Sequence, residues 1–410
     1  MKQRKFGRDF MLLAAGQAGS LLVNSVLDLA LSMYVLEQSG SAVIYGSMLA
    51  VAMVPAILLA PLGGVLADRA DRRRLMVWLD GLSGIIVLGT LPFLQGKGGI
   101  WAAGTLMVLL SVLGAVETPV VQASLPQVVQ GEGLERANAV VLQIGMLCAM
   151  IGPALGGALF AGFGVMPVLL FCAFSFLCTA GFECMIRLEP VPQPPAAVSL
   201  WRTVLLDLKA SGIFLCRQKP ALLRLLALVA ILGLLSNGVA GVGAPYLIRT
   251  RLGLSAGWYG AAGSALGAFG VAGSLAAGLL AGRLRPRYLS GVLILMGVCL
   301  FPAGAVFLLS SSPVVCYGAL VAALCGMQLC AVVFSVFVRS VMQRQVPAQL
   351  IGKVMAFSMA LESCGQPVGQ LVYGALFDRC PAGWVLMPTG LLLAILGLGG
   401  QKLFQSLEEG

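Results

Sequence analysis

Long apolar stretches separated by short polar gaps dominate this chain. Each stretch is about 20 residues or longer, enough for a helix rising about 1.5 Å per residue to cross the roughly 30 Å hydrocarbon core of a bilayer. A helix in lipid also satisfies its own backbone polar groups. The pattern predicts an all-α membrane protein with twelve transmembrane helices, over residues 12–36, 42–67, 75–95, 100–120, 137–161, 165–187, 222–248, 257–281, 288–310, 313–337, 351–376 and 384–404.

The placement of positive charge predicts the orientation of these helices. Of the 26 lysines and arginines, 22 fall in the gaps and tails that share one face if the N-terminus is cytoplasmic; Lys97, Arg249, Arg251 and Arg379 fall on the other. Cytoplasmic loops carry such an excess, so we expect a multi-pass protein of the cytoplasmic (inner) membrane with both termini cytoplasmic. The net charge of +10 then reflects contact with anionic lipids and does not indicate a nucleic-acid partner.

Composition excludes several classes of protein. The chain is 59% hydrophobic and 10% charged, which leaves no room for a large soluble domain. It has no histidine, no phosphate-binding loop and no grouped carboxylates outside the loops, so we expect neither an enzyme nor an ATP-driven pump, and no cofactor or metal. The basic start runs into an apolar segment too long for a cleavable signal. Most of the eleven cysteines lie inside spans and are expected as free thiols.

The chain divides into two related halves. The longest hydrophilic gap separates six spans from six, which predicts a bundle over 1–187, a cytoplasmic linker with an interfacial amphipathic helix over 188–220, and a second bundle over 221–410. Residues 64–69 match 278–283, and 134–139 match 351–356, at nearly one offset. Two matches at one spacing indicate a duplicated unit and two pseudo-symmetric six-helix bundles. Parallel repeats of this kind are typical of transporters with a site between the halves.

The segment from Gly64 to Leu75, GxLADRxDRRRL, resembles the loop between helices 2 and 3 of the major facilitator superfamily. The resemblance covers essentially the whole chain, although the family pattern has glycine where this chain has Asp71. The DRxDRRR form looks like the macrolide-efflux and siderophore-exporter branch. The resemblance implies a conformational latch that stabilises the outward-facing state, whereas a merely basic loop is the alternative. Its candidate residues are Gly64, Asp68, Arg69, Arg72, Arg73 and Asp80.

Helix 5 carries a second motif. Its residues Gly152, Pro153, Gly156 and Gly157 resemble the GPxxGG end of the antiporter motif in family exporters. Proline bends a helix and glycine permits close packing, so we expect a hinge and seal, although an ordinary packed helix would use the same residues. The arginine that drug-proton antiporters often carry in helix 4 is missing between residues 101 and 118, so proton coupling must be organised differently.

Ionisable residues at membrane depth are costly and mark candidate functional sites. Asp28 in helix 1 and Glu362 in helix 11 are the candidate proton-coupling residues; for Asp28 a structural hydrogen bond to a neighbouring helix is the alternative. Glu117 and Glu183 lie near cytoplasmic helix ends, where they are expected to reach the interface or pair with loop arginines. Amides that line a cavity, or else join helices, are Asn24, Gln143, Asn237, Gln328 and Gln366.

Together these features predict a monomeric secondary active transporter. Its expected function is proton-coupled efflux of lipophilic or amphiphilic small molecules, of drug, macrolide or siderophore type, by alternating access. Its expected partners are the small-molecule substrate, protons and the lipid bilayer. The alternatives are a symporter or facilitator of a nutrient or lipid-like substrate on the same fold, and a sensor that keeps a transporter scaffold without transport.

Overall fold

The computed structural model describes residues 6–96, 98–129, 133–188, 209, 211–280, 286–347 and 350–409. Within these ranges the chain forms helices and no strand. The predicted interfacial helix of the linker falls on residues 189–208, which lie outside the described residues.

Six long helices make up the first half of the chain. Two tight turns join neighbouring helices at glycines with positive φ, Gly40 at 60° and Gly164 at 74°, a conformation that costs glycine little. The helices are α1 Arg8–Ser39, α2 Ala42–Arg69, α3 Arg72–Leu94, α4 Gly99–Val128, α5 Gly133–Phe163 and α6 Val165–Cys184.

Besides short helical turns at 211–217 and Pro286–Tyr288, the described residues of the second half form six further long helices and one C-terminal helix. They are α7 Pro220–Arg251, α8 Ala256–Leu279, α9 Leu289–Leu309, α10 Pro313–Gln345, α11 Ile351–Arg379, α12 Ala382–Gly399 and α13 Gln401–Glu409. Helix α7 widens into π-helical turns over Gly238–Gly243 and Leu247–Arg251. The predicted last span is too long at its C-terminal end, because α12 ends at Gly399 and α13 begins two residues later.

The membrane-spanning character of these helices is clear from their composition. Eleven helices of the described chain are long and apolar enough to cross a membrane, and they include every helix from α1 to α12 except α11. Helix α11 has 29 residues, but its polar side chains, among them Ser358, Glu362 and Gln370, lower its hydropathy. Large apolar side chains also face outward: Trp101 is 78% exposed and Leu309 is 88% exposed. This surface suits hydrocarbon rather than water.

Contacts divide the chain into two compact units. Unit 1 contains Met1–Ser39, Val51–Leu200 and Ser255–Ser264, and unit 2 contains Gly40–Ala50, Trp201–Leu254 and Ala265–Gly410. The first residues of α2 therefore pack with the second half of the chain, and the first residues of α8 pack with the first half.

The same helix pairing occurs in both halves of the chain. In the first half, α3 packs on α6 and on α4, and α1 packs on α5; in the second, α9 packs on α12 and on α10, and α7 packs on α11. Each pair in the second half lies six helices after its counterpart. This correspondence agrees with the predicted duplication of a six-helix unit.

Candidate functional site

A polar stripe runs along α1. Gln17, Ser20, Asn24 and Asp28 follow one another at intervals of three or four residues, so they occupy one face of the helix. The Asn24 side-chain amide donates to the Ser20 backbone carbonyl at 2.9 Å and to the Ser20 hydroxyl oxygen at 3.4 Å. The helix is otherwise mostly apolar, so this stripe is where it presents hydrogen-bonding groups to its neighbours.

Three carboxyl groups from three helices meet the Ser20 end of this stripe. The Ser20 hydroxyl lies within hydrogen-bond distance of Asp80 in α3, at 3.3 Å, and of Glu117 in α4, at 2.8 Å. Glu183 in α6 lies against α1 at Gly16, one helical turn before Ser20. We call Asp80, Glu117 and Glu183 the carboxyl cluster.

The carboxyl cluster lies inside the protein. Asp80 is 0% exposed and Glu183 is 3% exposed. Among the described residues, Oδ2 of Asp80, Oε2 of Glu183 and Oε1 of Gln17 have no hydrogen-bond partner. The Asp80 and Glu117 oxygens bonded to Ser20 are at most about 6 Å apart, where two negative charges repel by about 3 kcal/mol at an effective dielectric of about 20. A proton on either carboxyl would remove that repulsion.

The location of the carboxyl cluster differs from what the sequence alone indicates. The sequence groups Asp80 with the loop arginines, whereas its side chain is buried and meets Ser20. It also predicts that Glu183 reaches the cytoplasmic interface, whereas Glu183 is buried against α1. The difference arises because the faces of α3, α4 and α6 that carry these residues pack toward α1, a tertiary arrangement that helix positions along the chain do not reveal.

Asp28 lies at the opposite end of the stripe and is exposed. The structure thus brings Asn24 and Asp28, two of the predicted residues, onto one face of α1. The coupling role of Asp28 stays a prediction.

A cavity of about 200 Å³ lies within unit 2. Its wall carries Glu362 of α11, Asn237 of α7 and Gln328 of α10, three residues that the sequence indicates as candidates. Arg339 also lines it, because α10 continues to Gln345 and keeps this arginine in the helix rather than in the predicted loop. The wall is otherwise largely apolar, with Leu232, Met296, Phe334, Val338 and Met342. Apolar walls with a few polar groups are typical of small-molecule sites.

Three of the five predicted amides do not line this cavity, and one of them, Asn24, lies in the polar stripe of α1. Gln143 is exposed on α5, and Gln366 is half-buried on α11. Neither belongs to the wall of the cavity in unit 2. Their roles stay predictions.

The loop between α2 and α3 is tied to two other helices by arginines. Arg72 donates to the backbone carbonyl oxygens of Ala67 at 2.7 Å and of Ala123 in α4 at 2.6 Å. Arg73 donates to the carbonyl oxygen of Cys184 at the end of α6. These bonds hold the helix ends together within unit 1, as a latch would require.

The remaining latch residues are less fully described. Asp71 is the N-cap of α3 and accepts a hydrogen bond from the Arg74 backbone amide at 3.1 Å. The residue that stands in place of the family glycine therefore caps this helix. The side chains of Gly64, Asp68 and Arg69 lie outside the described residues. Their part in the latch therefore stays a prediction.

The helix 5 motif packs α5 closely on α1. A Cβ atom added to Gly152 would overlap the Ser25 side chain, and one added to Gly156 would lie 3.1 Å from the Val26 Cα. Such small separations require glycine on α5, because any side chain would force the two helices apart.

The other face of the same motif packs on the start of α8. A Cβ on Gly157 would lie 2.6 Å from the Ala256 carbonyl oxygen. The Ala154 amide donates to the Ser264 hydroxyl at 3.1 Å, next to Pro153, whose ring lies against α8. The motif thus joins three helices, and any motion that separates the start of α8 from α5 must break these contacts.

The N-terminus of α2 is held by an aspartate from α11. The Ser41 hydroxyl donates to Asp378 Oδ2 at 2.5 Å, and the amides of Ala42 and Val43 donate to Oδ1 and Oδ2 at 2.7 and 3.1 Å. The carboxylate thereby satisfies amides that a helix start leaves unpaired, and it meets the positive end of the helix dipole. We call Ser41, Ala42, Val43 and Asp378 the α2 clamp.

The sequence analysis does not identify the α2 clamp. Asp378 stands beside Arg379 at the end of a span, where charged residues are common and carry little information. The available signal is weaker: Ser41 is a suitable N-cap, and the predicted topology places the start of α2 and the end of α11 on the same side of the membrane. No short-range pattern joins residues this far apart in the sequence.

Solved structures of other transporters share this fold. A bacterial homologue of the iron transporter ferroportin, in its inward-facing state, has a TM-score of 0.72 at 18% identity, with 97% of this chain and 100% of that chain covered. The peptide transporter POT has a TM-score of 0.77 at 13% identity, with 99% and 97% covered. At such identities the likeness concerns the fold alone.

Relatives by sequence include exporters. An uncharacterized MFS-type transporter of Sinorhizobium fredii is 25% identical, with 95% of this chain and 94% of the relative covered. The enterobactin exporter EntS of Citrobacter koseri is 28% identical, with 84% and 80% covered. Macrolide efflux protein A of Streptococcus pyogenes is 25% identical over a shorter stretch, with 39% and 40% covered.

The family assignment rests on nearly the whole length of the chain. The sequence profile of the Major Facilitator Superfamily matches residues 13–369, a range that spans α1 through most of α11. Twelve long helices, the repeated helix pairing and transporter relatives agree with this match. The chain is a multi-pass membrane transporter, not an enzyme, and it belongs to the Major Facilitator Superfamily.

Proposed function

We propose that this transporter exports lipophilic or amphiphilic small molecules in exchange for protons. The substrate class is of drug, macrolide or siderophore type. The transporter works by alternating access, in which the substrate site opens to one side of the membrane at a time.

The observation that carries the proposal is the setting of the two candidate coupling carboxyls. Asp28 is exposed on α1, and Glu362 lines the cavity of unit 2. A carboxyl that must bind and release a proton in each cycle needs access to water or substrate rather than a fully packed site. Neither residue is fully packed, which supports the proposed role for both.

The cavity in unit 2 supports the substrate class. Leu232, Met296 and Phe334 supply apolar surface, while Glu362 and Arg339 supply one charge of each sign. An amphiphilic molecule buries its apolar part on such a wall and directs its polar part to the charged groups. Methionine adapts to ligands of different shape, which suits an exporter of several compounds.

The direction of transport is proposed from the relatives. The enterobactin exporter and the macrolide efflux protein both move compounds out of the cell according to their names. The likeness to the enterobactin exporter covers 84% of this chain, so it extends into both halves.

Alternating access requires contacts that form in one state and break in another. We assign this role to the α2 clamp and to the packing of α5 on the start of α8, because both depend on close contact between helix ends. The arginine loop between α2 and α3 is the corresponding device on the cytoplasmic side. We further propose that both termini are cytoplasmic and that a single chain is the transport unit.

The test is uptake into energised inverted membrane vesicles that contain the protein. The panel comprises a macrolide, a catecholate siderophore and a fluorescent lipophilic cation. Inverted vesicles should accumulate at least one of these compounds, and a protonophore should abolish the accumulation. The matched control is vesicles with the Asp28→Asn/Glu362→Gln variant at equal expression.

Two results would contradict the proposal. Accumulation in right-side-out vesicles, with none in inverted vesicles, would indicate an importer. Accumulation that persists after the proton gradient is collapsed would indicate a different driving ion.

A further inference from the structure

We infer that the carboxyl cluster of Asp80, Glu117 and Glu183 is a proton-binding site buried in unit 1. It is separate from the coupling candidates Asp28 and Glu362. A role of this site in transport rests on the proposed proton-coupled export. The protonation itself is inferred from the hydrogen bonds and the burial of the cluster.

The hydrogen bonds around Ser20 leave too few hydrogens. Its hydroxyl has one hydrogen, but oxygens of Asp80 and Glu117 both lie within bonding distance, at 3.3 and 2.8 Å. Asn24 donates to Ser20, so the amide does not supply either carboxyl. If Asp80 and Glu117 were both ionised, their carboxylates would compete for the single hydrogen of the Ser20 hydroxyl. The carboxylate oxygen that does not receive this hydrogen would be buried without a donor.

Further buried acceptors add to this shortage. Oδ2 of Asp80, Oε2 of Glu183 and Oε1 of Gln17 have no partner within the described parts of the chain. Ionised carboxylates and amide oxygens are acceptors only, whereas a protonated carboxyl is also a donor. Each proton bound to the cluster therefore converts a buried acceptor into a donor and reduces the number of unsatisfied groups.

The described hydrogen bonds of the arginines at the start of α3 go to other groups. On α3, Arg72 and Arg73 donate to backbone carbonyl oxygens of Ala67, Ala123 and Cys184. Arg74 pairs with Asp71 at 3.3 Å. None of the hydrogen bonds described for these arginines reaches the cluster.

On the other helices packed on the cluster, the charged groups for which the structure describes a contact also meet other partners. On α1, Asp9 accepts a hydrogen bond from the Arg187 backbone amide, and Asp28 lies two turns beyond Ser20. At the start of α5, Arg136 lies over the Phe6 ring at 5.3 Å, while Glu135 is exposed. Buried carboxyls without a neighbouring cation are most stable when they carry protons.

The arrangement links proton binding to helix packing. Each carboxyl comes from a different helix, α3, α4 or α6, and all three face α1. When a proton leaves, two neighbouring carboxyls become mutually repulsive or an acceptor loses its donor, so the packing of α1 on these helices weakens. Loss of a proton from the carboxyl cluster therefore changes the packing of the surrounding helices. The polar stripe of α1 runs from the cluster toward Asp28.

Infrared spectroscopy of the purified full-length protein in lipid nanodiscs tests the protonation. A protonated carboxyl gives a carbonyl stretch that an ionised one lacks. At neutral pH the wild type should show this band, and the Asp80→Asn/Glu117→Gln/Glu183→Gln variant should lose an intensity equal to at least one carboxylic acid per molecule. Glu135→Gln, which changes an exposed carboxyl in the same unit, should leave the band unchanged.

A second variant keeps the test decisive if the triple variant does not fold. Ser20→Ala retains all three carboxyls but removes the shared hydroxyl, so the band should shift in frequency without losing intensity. An unchanged band in Ser20→Ala, or equal intensity in the wild type and the triple variant, would overturn the inference. A cluster that is ionised around a bound cation would give that same result.

The outcome is distinguishable from failure of the proposed function. If the wild type moves none of the panel compounds but loses the band on triple substitution, the export proposal fails and the proton site stands. If the wild type couples transport to protons but the band is insensitive to the triple substitution, coupling belongs to Asp28 or Glu362 alone and the inference fails.

Discussion

Replacing Asp378 with asparagine should loosen the N-terminus of α2. The carboxylate accepts from the Ser41 hydroxyl and from the amides of Ala42 and Val43, at 2.5, 2.7 and 3.1 Å. Asparagine has one acceptor oxygen and no charge, so at least one of these hydrogen bonds and the favourable interaction with the helix dipole are lost.

The magnitude follows from those two losses. A hydrogen bond to a charged group contributes about 1.5–3 kcal/mol when it is buried, and a charge at a helix terminus adds about 0.3–1 kcal/mol. Water replaces part of this at a half-buried site, so we expect about 2 kcal/mol in total. Since about 1.4 kcal/mol is a factor of ten, opening of the clamp should become about 30-fold more frequent.

Hydrogen exchange measures this opening directly. The amides of Ala42 and Val43 are the donors in the clamp, so their exchange should accelerate by about 30-fold in Asp378→Asn if opening precedes exchange. The control is Asp71→Asn, which removes a similar acidic cap from α3 and should not affect residues 40–50. Unchanged exchange at Ala42 and Val43 in Asp378→Asn would refute the clamp.

Three further predictions address packing, the latch and topology. Gly157→Leu should impair transport by overpacking α5 on α8, at a cost of about 1–3 kcal/mol. The control Gly162→Leu lies on the same helix with open space around it and should transport normally. Equal activity in the two variants would contradict a role for the close packing of the helix 5 motif in transport. Asp68→Asn should shift the accessibility of vestibule cysteines and reduce transport at normal expression, and unchanged accessibility with full transport would reduce the loop to a topology signal. Single cysteines at Lys97 and Arg74 should react with an impermeant maleimide from opposite sides of the membrane, and labelling from one side would contradict the proposed orientation.

Local features of the sequence are sufficient to predict the helices. Apolar stretches of about 20 residues indicate every helix from α1 to α12, because burial in lipid depends on length and hydropathy rather than on partners. The end of α12 is misplaced, since the glycines at 399 and 400 separate it from α13. The internal repeat also follows from sequence and agrees with the repeated helix pairing.

Contacts between distant helices limit what the sequence reveals about the site. The spacing of Gln17, Ser20, Asn24 and Asp28 identifies their common face without a structure. The carboxyl cluster is not predictable in this way, because it depends on how α3, α4 and α6 rotate about α1. The α2 clamp joins residues 337 positions apart, beyond any local pattern.

The measurement that tests the account most directly is substrate-driven proton movement in proteoliposomes. A fluorescent lipophilic cation is applied as an outward-directed gradient, and a pH-sensitive dye reports protons moving in the opposite direction. The wild type should show this exchange, Asp28→Asn/Glu362→Gln should not, and Glu135→Gln should match the wild type. Proton movement that is equal in the wild type and in Asp28→Asn/Glu362→Gln would contradict the account, as would movement of the cation with no proton flux.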